Sequence, residues 1–282
     1  MAEKGEIELI ISANKERKSI ERLKYEQRRR KNLLLALVGI ALFFIIWQLA
    51  ITTGIVSSRA LCSPVKLVQT FFKKLSSKNP DGATLITNML ASLKLAICGF
   101  LAAVAIGIPL GLLMGYFKAF DKFMTPIFEI LRPIPPIAWI PIVILVLGIG
   151  FEAKVFIIFM SAFCGCVINS YLGIKLTNQT YINVAKTFGA SRWQIFVKVC
   201  LPSAANMIFA GVRTALNSSW GTLVAAEMLA ATNGLGYMIQ MGRRLIRPDI
   251  IVLGMFTIGS IGALMGLVLN LIEKKIAPWR DR

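Results

Sequence analysis

The chain has 282 residues, of which 56% are apolar and 16% charged, against roughly 25% charged in an average soluble domain. A mean hydropathy of +0.69 excludes a water-facing globule, a disordered chain, a collagen-like repeat and a disulfide-stapled secreted domain. A net charge of +18 without a single histidine removes zinc-hydrolase, histidine-triad and haem-histidine chemistry, and beside long apolar runs it points to a membrane rather than to nucleic acid.

Residues 1–32 read as a basic cytoplasmic helix, with Ile7, Leu9, Ile10, Ile11, Ile20 and Leu23 spaced among Lys, Arg and Glu. Its end, Arg28-Arg29-Arg30-Lys31, reads as a positive stop attracted to anionic lipid. Six spans are predicted, near 33–51, 86–115, 123–149, 154–172, 203–230 and 250–272. The first is no cleavable leader, because a long polar segment precedes it and its apolar stretch is too long. The stretch from Ser63-Pro64 to Leu75 predicts a short outer-surface helix with Pro64 in its first turn.

The second span contains Gly107, Pro109 and Gly111, and the third contains Pro133, Pro135, Pro136 and Pro141. These two and the fifth exceed the length a bilayer needs, so tilted or broken backbone is expected. Broken backbone at membrane depth is tolerated where protein or a cavity meets it. Proline removes backbone donors and leaves carbonyls without their helical partners, so Pro135, Pro136 and Trp139 are candidates for a constriction along a pathway.

Lys and Arg outside the spans number twenty on one side and nine on the other, which predicts cytoplasmic N- and C-termini. Arg243, Arg244 and Arg247 stand on the poorer side. Five cysteines, Cys62, Cys98, Cys164, Cys166 and Cys200, fall mostly in apolar stretches and read as small buried hydrophobes rather than a metal site.

The longest cytoplasmic loop between spans, about 173–202, predicts a helix to Phe188, a stop at Gly189, a second helix capped by Ser191, and a new span opening at Leu201-Pro202. Trp193, Ile195, Phe196 and Val199 make the second helix apolar on a cytoplasmic face, which is the pattern of a docking element. In the fifth span Arg213 and Glu227 are fourteen residues apart, ~21 Å along one helix, so they cannot pair with each other. They line a pathway or gate, or else form structural pairs with a neighbour such as Lys94 or Glu129. Asn217, Ser218, Ser219 and Trp220 lie between them. They make one face polar, or they serve as ordinary helix–helix contacts.

The run Ala185…Gly189-Ala190…Leu201-Pro202 resembles the EAA loop of bacterial ABC importer permeases, with Val199 in its hydrophobic slot and Asn183 where the pattern has Glu. Leu131 to Pro141, Val224-Ala-Ala-Glu-Met228 and Gly234-Leu-Gly-Tyr-Met-Ile239 are similar to the nitrate, sulfonate, taurine and bicarbonate branch. The resemblance covers about 33–280.

It implies an all-α type I importer fold, with a permease domain over 33–272 and a cytoplasmic tail at 273–282. It further implies a second permease copy, two ATP-binding subunits and an extracytoplasmic binding protein as partners. The loop residues Asn183, Ala185, Gly189, Ala190, Trp193, Leu201 and Pro202 would then form the coupling helix that docks the ATPase. No Walker A pattern G-x-x-x-x-G-K-[ST] occurs, so ATP and Mg are expected on the partner and this chain is expected to be non-enzymatic, with no cofactor of its own. A small anion is the expected solute. A thiamine-precursor pyrimidine and an ATP-independent secondary transporter are the alternatives, the latter lacking any evident repeat of two halves.

Overall fold

The computed structural model describes residues 27, 28, 30–57, 60–230 and 232–276, so most of the basic helix expected over 1–32 lies outside the described residues. Among the described residues the elements are helices, with no strand. The chain divides into two compact units, Met1–Val65 and Lys66–Arg282. In the first, α1 (Arg30–Thr52) has 23 residues and is ~35 Å long, enough to cross a bilayer. The rings of Phe44 and Trp47 stack within it at 5.9 Å.

The helix expected on the outer surface is α2 (Pro64–Ser76). The second unit continues with α3 (Leu85–Tyr116), α4 (Lys118–Leu131), a tight turn at Pro136–Trp139 and α5 (Ile140–Leu147). Then come α6 (Phe151–Lys175), α7 (Gln179–Thr187), α8 (Arg192–Ile195), α9 (Leu201–Ala230), α10 (Leu235–Arg244) and α11 (Pro248–Ile276). Among the described residues five helices are long and apolar enough to span, and they become six when α4 and Pro136–Leu147, bent by 84° from each other, are counted as one broken span. Pro133, Pro135 and Pro136 fall at that bend, where three rings and three missing N–H groups within four residues end the helix. Five or six helices of that length and apolarity make this a multi-pass integral membrane protein.

Of the two expectations for the second span, tilted or broken, the structure overturns the break. α3 is one helix of 32 residues with Pro109 inside it. Its small residues serve packing instead: Gly99, Ala103, Gly107, Gly111 and Gly115 recur every fourth position and face α6. A methyl added at Gly107 would sit 2.8 Å from the Cys166 side chain, and one at Gly111 would fall onto the Val167 carbonyl. Such close backbone approach lets α3, α6 and α9 form the centre of the unit. Cys166 and Cys200 are packed within it as small apolar groups.

The fifth span also differs from expectation, since it does not open at Leu201-Pro202. Helix runs unbroken from Arg192 to Met228, 37 residues, through a π-turn at Phe196–Cys200. The Leu201 N–H reaches the Phe196 carbonyl five residues back. This widened turn lies immediately before Pro202, where the ring would otherwise collide with the carbonyl four residues earlier. Proline therefore sits inside the helix at a built-in irregularity.

Candidate functional site: an exposed elbow, a polar stripe and a buried carboxylate

At one end of the helices, α7 and α8 form an elbow. Asn178 caps α7 by accepting from the Thr180 N–H at 2.9 Å. The helix stops in a Schellman arrangement: Ala190 N–H donates to the Ala185 carbonyl at 3.0 Å and Gly189 N–H to the Lys186 carbonyl at 2.9 Å, with Gly189 at φ +75°. Ser191 and Gln194 then form a reciprocal capping box that starts α8.

The small residues of this motif have a geometric cause, since Ala185 and Ala190 face inward together. They pack with Ile182, Ile195, Phe196 and Cys200 against Ile174 and Tyr116, the far ends of α6 and α3. Tyr116 OH donates to the Arg192 carbonyl at 2.5 Å, pinning the elbow to α3. The other side carries Tyr181, Val184, Phe188 and Trp193, with Phe188 86% and Trp193 66% exposed. Asn183 lies exposed among them. Lys186 and Arg192 are exposed on the same elbow, so the exposed aromatics form an apolar ridge among charges.

On α9 the exposed positions include Asn206, Arg213, Thr214, Asn217 and Gly221, one face at helical spacing. This stripe is polar where the exposed surface of α3 and α11 is apolar. Of the four consecutive residues noted in the sequence, only Asn217 is fully exposed, and Ser218 is half-buried. Ser219 and Trp220 are buried, and the Trp220 indole N–H donates to the Ile258 carbonyl of α11 at 3.0 Å. Consecutive helical residues point apart by about 100°, which is why four in a row do not make one face.

Arg213 pairs with Glu273 of α11, an interhelical partner other than the Glu129 that the sequence offered as an example. Glu273 has a side chain only 6% exposed, so the pair fixes the elbow-side ends of α9 and α11. Arg213→Gln is expected to lower stability by about 1–2 kcal/mol, a cost Arg213→Lys largely avoids. Thermal unfolding of the purified chain measures it, and unchanged unfolding in the Gln variant would show that the pair contributes nothing.

Glu227 lies at the opposite end of α9 and is 2% exposed. Its carboxylate accepts from Ser92 Oγ at 2.7 and 2.9 Å and from the Gly236 N–H at 2.8 Å. Ser92 Oγ in turn accepts from the Leu235 N–H at 2.8 Å, and Asn88 Oδ1 from the Gly234 N–H at 3.0 Å. Three backbone donors at the start of α10 are thus taken by side chains of α3 and α9, which is how a helix start can be buried.

The network continues: Asn88 donates to Asp81 at 2.5 Å, and Asp81 pairs with the buried Lys74 of α2. The same face of α2 offers Thr70, which donates to Asp249 at 3.2 Å beside the Arg247–Asp249 pair at 2.6 Å. Gly234, at φ +115°, has no room for a side chain, since a methyl there would fall onto the Glu227 carboxylate. α10 itself is not announced by the apolar runs; the signal that could find it is Glu227 followed by Gly234-Leu-Gly236.

In the bent third span, Pro135 is exposed, Pro136 is half-buried, and Trp139 packs with Ile140 and Val143 against Ala153, Ile157 and Ala226. The turn therefore rests on α9 one residue before Glu227, away from Arg213 and Asn217. The sequence candidates accordingly fall into three places rather than one: the elbow, the α9 stripe, and the Glu227 end.

Residues 107–282 match the family described as binding-protein-dependent transport system inner membrane component. The chain is 33% identical to the taurine transport system permease protein of Escherichia coli strain K12, over 92% of this chain and 94% of that one. It is 32% identical to the bicarbonate transport system permease protein of Synechocystis strain PCC 6803, over 90% and 92%. The fold matches a chain in an inward-facing structure of the MetNI methionine ABC transporter with a TM-score of 0.53 and 20% identity, covering 66% of this chain and 95% of that one.

Proposed function

Because the chain belongs to the binding-protein-dependent transport inner membrane components, we propose that it is the permease subunit of an ATP-driven importer and forms half of a pathway for a small anion of sulfonate, nitrate or bicarbonate type. The observation that carries this reading is the apolar ridge of the elbow. Phe188 and Trp193 stand on a rigid, doubly capped turn, exposed to water yet braced from behind by Tyr116 and Phe196. Large rigid aromatics presented this way are what a protein partner buries. Two ATP-binding subunits, carrying ATP and Mg, would take that ridge on the cytoplasmic side, the side on which the Lys and Arg distribution predicts both chain termini.

One stripe on α9 lines only one side of a channel. A second copy across a two-fold axis would supply the other, with Arg213, Asn217 and the Pro135–Trp139 turn as its wall and gate residues. A binding protein outside would deliver the solute. Relatives named for taurine and for bicarbonate resemble this chain almost equally, which favours selectivity residing in that protein.

The test is purification from cells that also express the neighbouring transporter genes. The chain is expected to come out with an ATPase and a second permease copy, and uptake of taurine, nitrate or bicarbonate is expected to stop when the ATPase gene is deleted. Uptake that survives the deletion would make it an ATP-independent transporter instead.

A further inference from the structure

Beside the buried Glu227 carboxylate lies a half-open pocket of about 190 Å³. Its wall includes Lys94 of α3, Lys154 in the first turn of α6, the Phe151 ring, Asn233 and Glu227. Lys94 Nζ stands 5.5 Å from the Phe151 ring centroid. Among the described residues, neither lysine makes an ion pair or a hydrogen bond. The carboxylate takes its hydrogen bonds elsewhere, since both of its oxygens accept from Ser92 and one also accepts from Gly236.

Two ammonium groups against one carboxylate leave the pocket with a surplus of one positive charge. The distribution of Lys and Arg along the chain disfavours basic residues on this side, so two in one pocket stand out. Lys94 has the Phe151 ring beside it and Lys154 faces the Glu227 carboxylate, but neither ammonium group is held by an anion through a hydrogen bond, so both keep donors for one. The volume suits a small solute with a few waters and not a macromolecule. Asn233 adds a neutral donor, and the aromatic wall lowers the local polarity so that the ammonium groups act more strongly on what enters.

We propose that this pocket is a monoanion-binding subsite, in which Lys94 and Lys154 hold a sulfonate, carboxylate, nitrate or bicarbonate group at the binding-protein end of the permease. The proposal rests on the importer reading above and adds the place where the solute first meets this chain. A lipid phosphate carries the same chemistry and is the competing source.

The test has two arms. In the first, the full chain in phosphatidylcholine nanodiscs is acetylated with and without taurine, nitrate or bicarbonate, and each lysine is followed by mass spectrometry. Lys94 and Lys154 are expected to be protected by at least one of these anions, while the exposed Lys78 is not. Protection that requires phosphatidylglycerol in the bilayer, or no protection at all, overturns the proposal.

In the second arm, uptake is measured with the intact transporter. Lys94→Gln/Lys154→Gln is expected to raise KM about tenfold, as expected for the loss of two charge contacts, with the Arg double variant retaining most of the affinity. Normal uptake in the Gln variant overturns the subsite alone. A wild-type transporter that moves none of the three anions overturns the function it rests on, and in that case protection in the first arm still reads the pocket independently.

Discussion

Glu227→Ala is expected to destabilise the chain by about 3 kcal/mol. The carboxylate is the common acceptor for Ser92 and Gly236, so its removal strands a hydroxyl and a backbone N–H away from water and leaves a void between α3, α9 and α10. Glu227→Gln keeps the shape but points an amide NH₂ at one of two donors, and should lose about 1–2 kcal/mol. Thermal unfolding in detergent measures both. If Glu227→Ala unfolds like wild type and only transport changes, the residue belongs to the pathway and the structural account fails.

Gly234 supplies a second check on the same geometry. Gly234→Ala brings a methyl onto the carboxylate and also a backbone φ of +115° that L-residues avoid. In Glu227→Ala/Gly234→Ala the collision disappears and only the backbone cost remains. The double variant is therefore expected to be more stable than the sum of the singles allows, the signature of directly coupled neighbours.

The parts of this architecture that the sequence announces are those governed by short-range rules. Apolar length gives the spans, and Gly189, Ser191 and Pro64 mark helix ends because caps and φ > 0 turns act over four or five residues. Partners across helices are another matter. Arg213 meets Glu273 sixty positions later, and Glu227 meets Ser92 of α3, pairs that no periodicity within one helix encodes. Glycine is ambiguous for the same reason: Gly107 and Gly189 look alike in sequence, yet one is helix interior pressed on α6 and the other a left-handed stop. Pro202 likewise looks like a helix start, and only the π-turn before it shows that helix runs through. α10 is short, and its cue is a pair of glycines whose meaning depends on a carboxylate seven and nine residues upstream.

Gly189→Trp is expected to leave a folded, inserted chain that no longer retains its ATPase and no longer transports. The folding cost is small: nothing lies within 4 Å of a Cβ at this position, so only the left-handed backbone is penalised, by about 1–2 kcal/mol. Gly189 is itself exposed, on the side of the elbow away from its packed core, between α7 and α8 and next in the chain to the exposed Phe188. If that side is the docking face, an indole there occupies volume meant for the partner, and packed interfaces tolerate such bulk poorly. Gly189→Ala separates the two contributions, since it carries the same backbone penalty without the bulk and should keep most ATPase binding. Trp193→Ala attacks the ridge from the other direction, removing an anchor that is 66% exposed and so of little use to the isolated fold. It should match wild type in thermal unfolding and yet lose the ATPase on purification. Should Gly189→Trp and Trp193→Ala both co-purify with a full complement of ATPase and transport normally, the elbow is not the coupling surface.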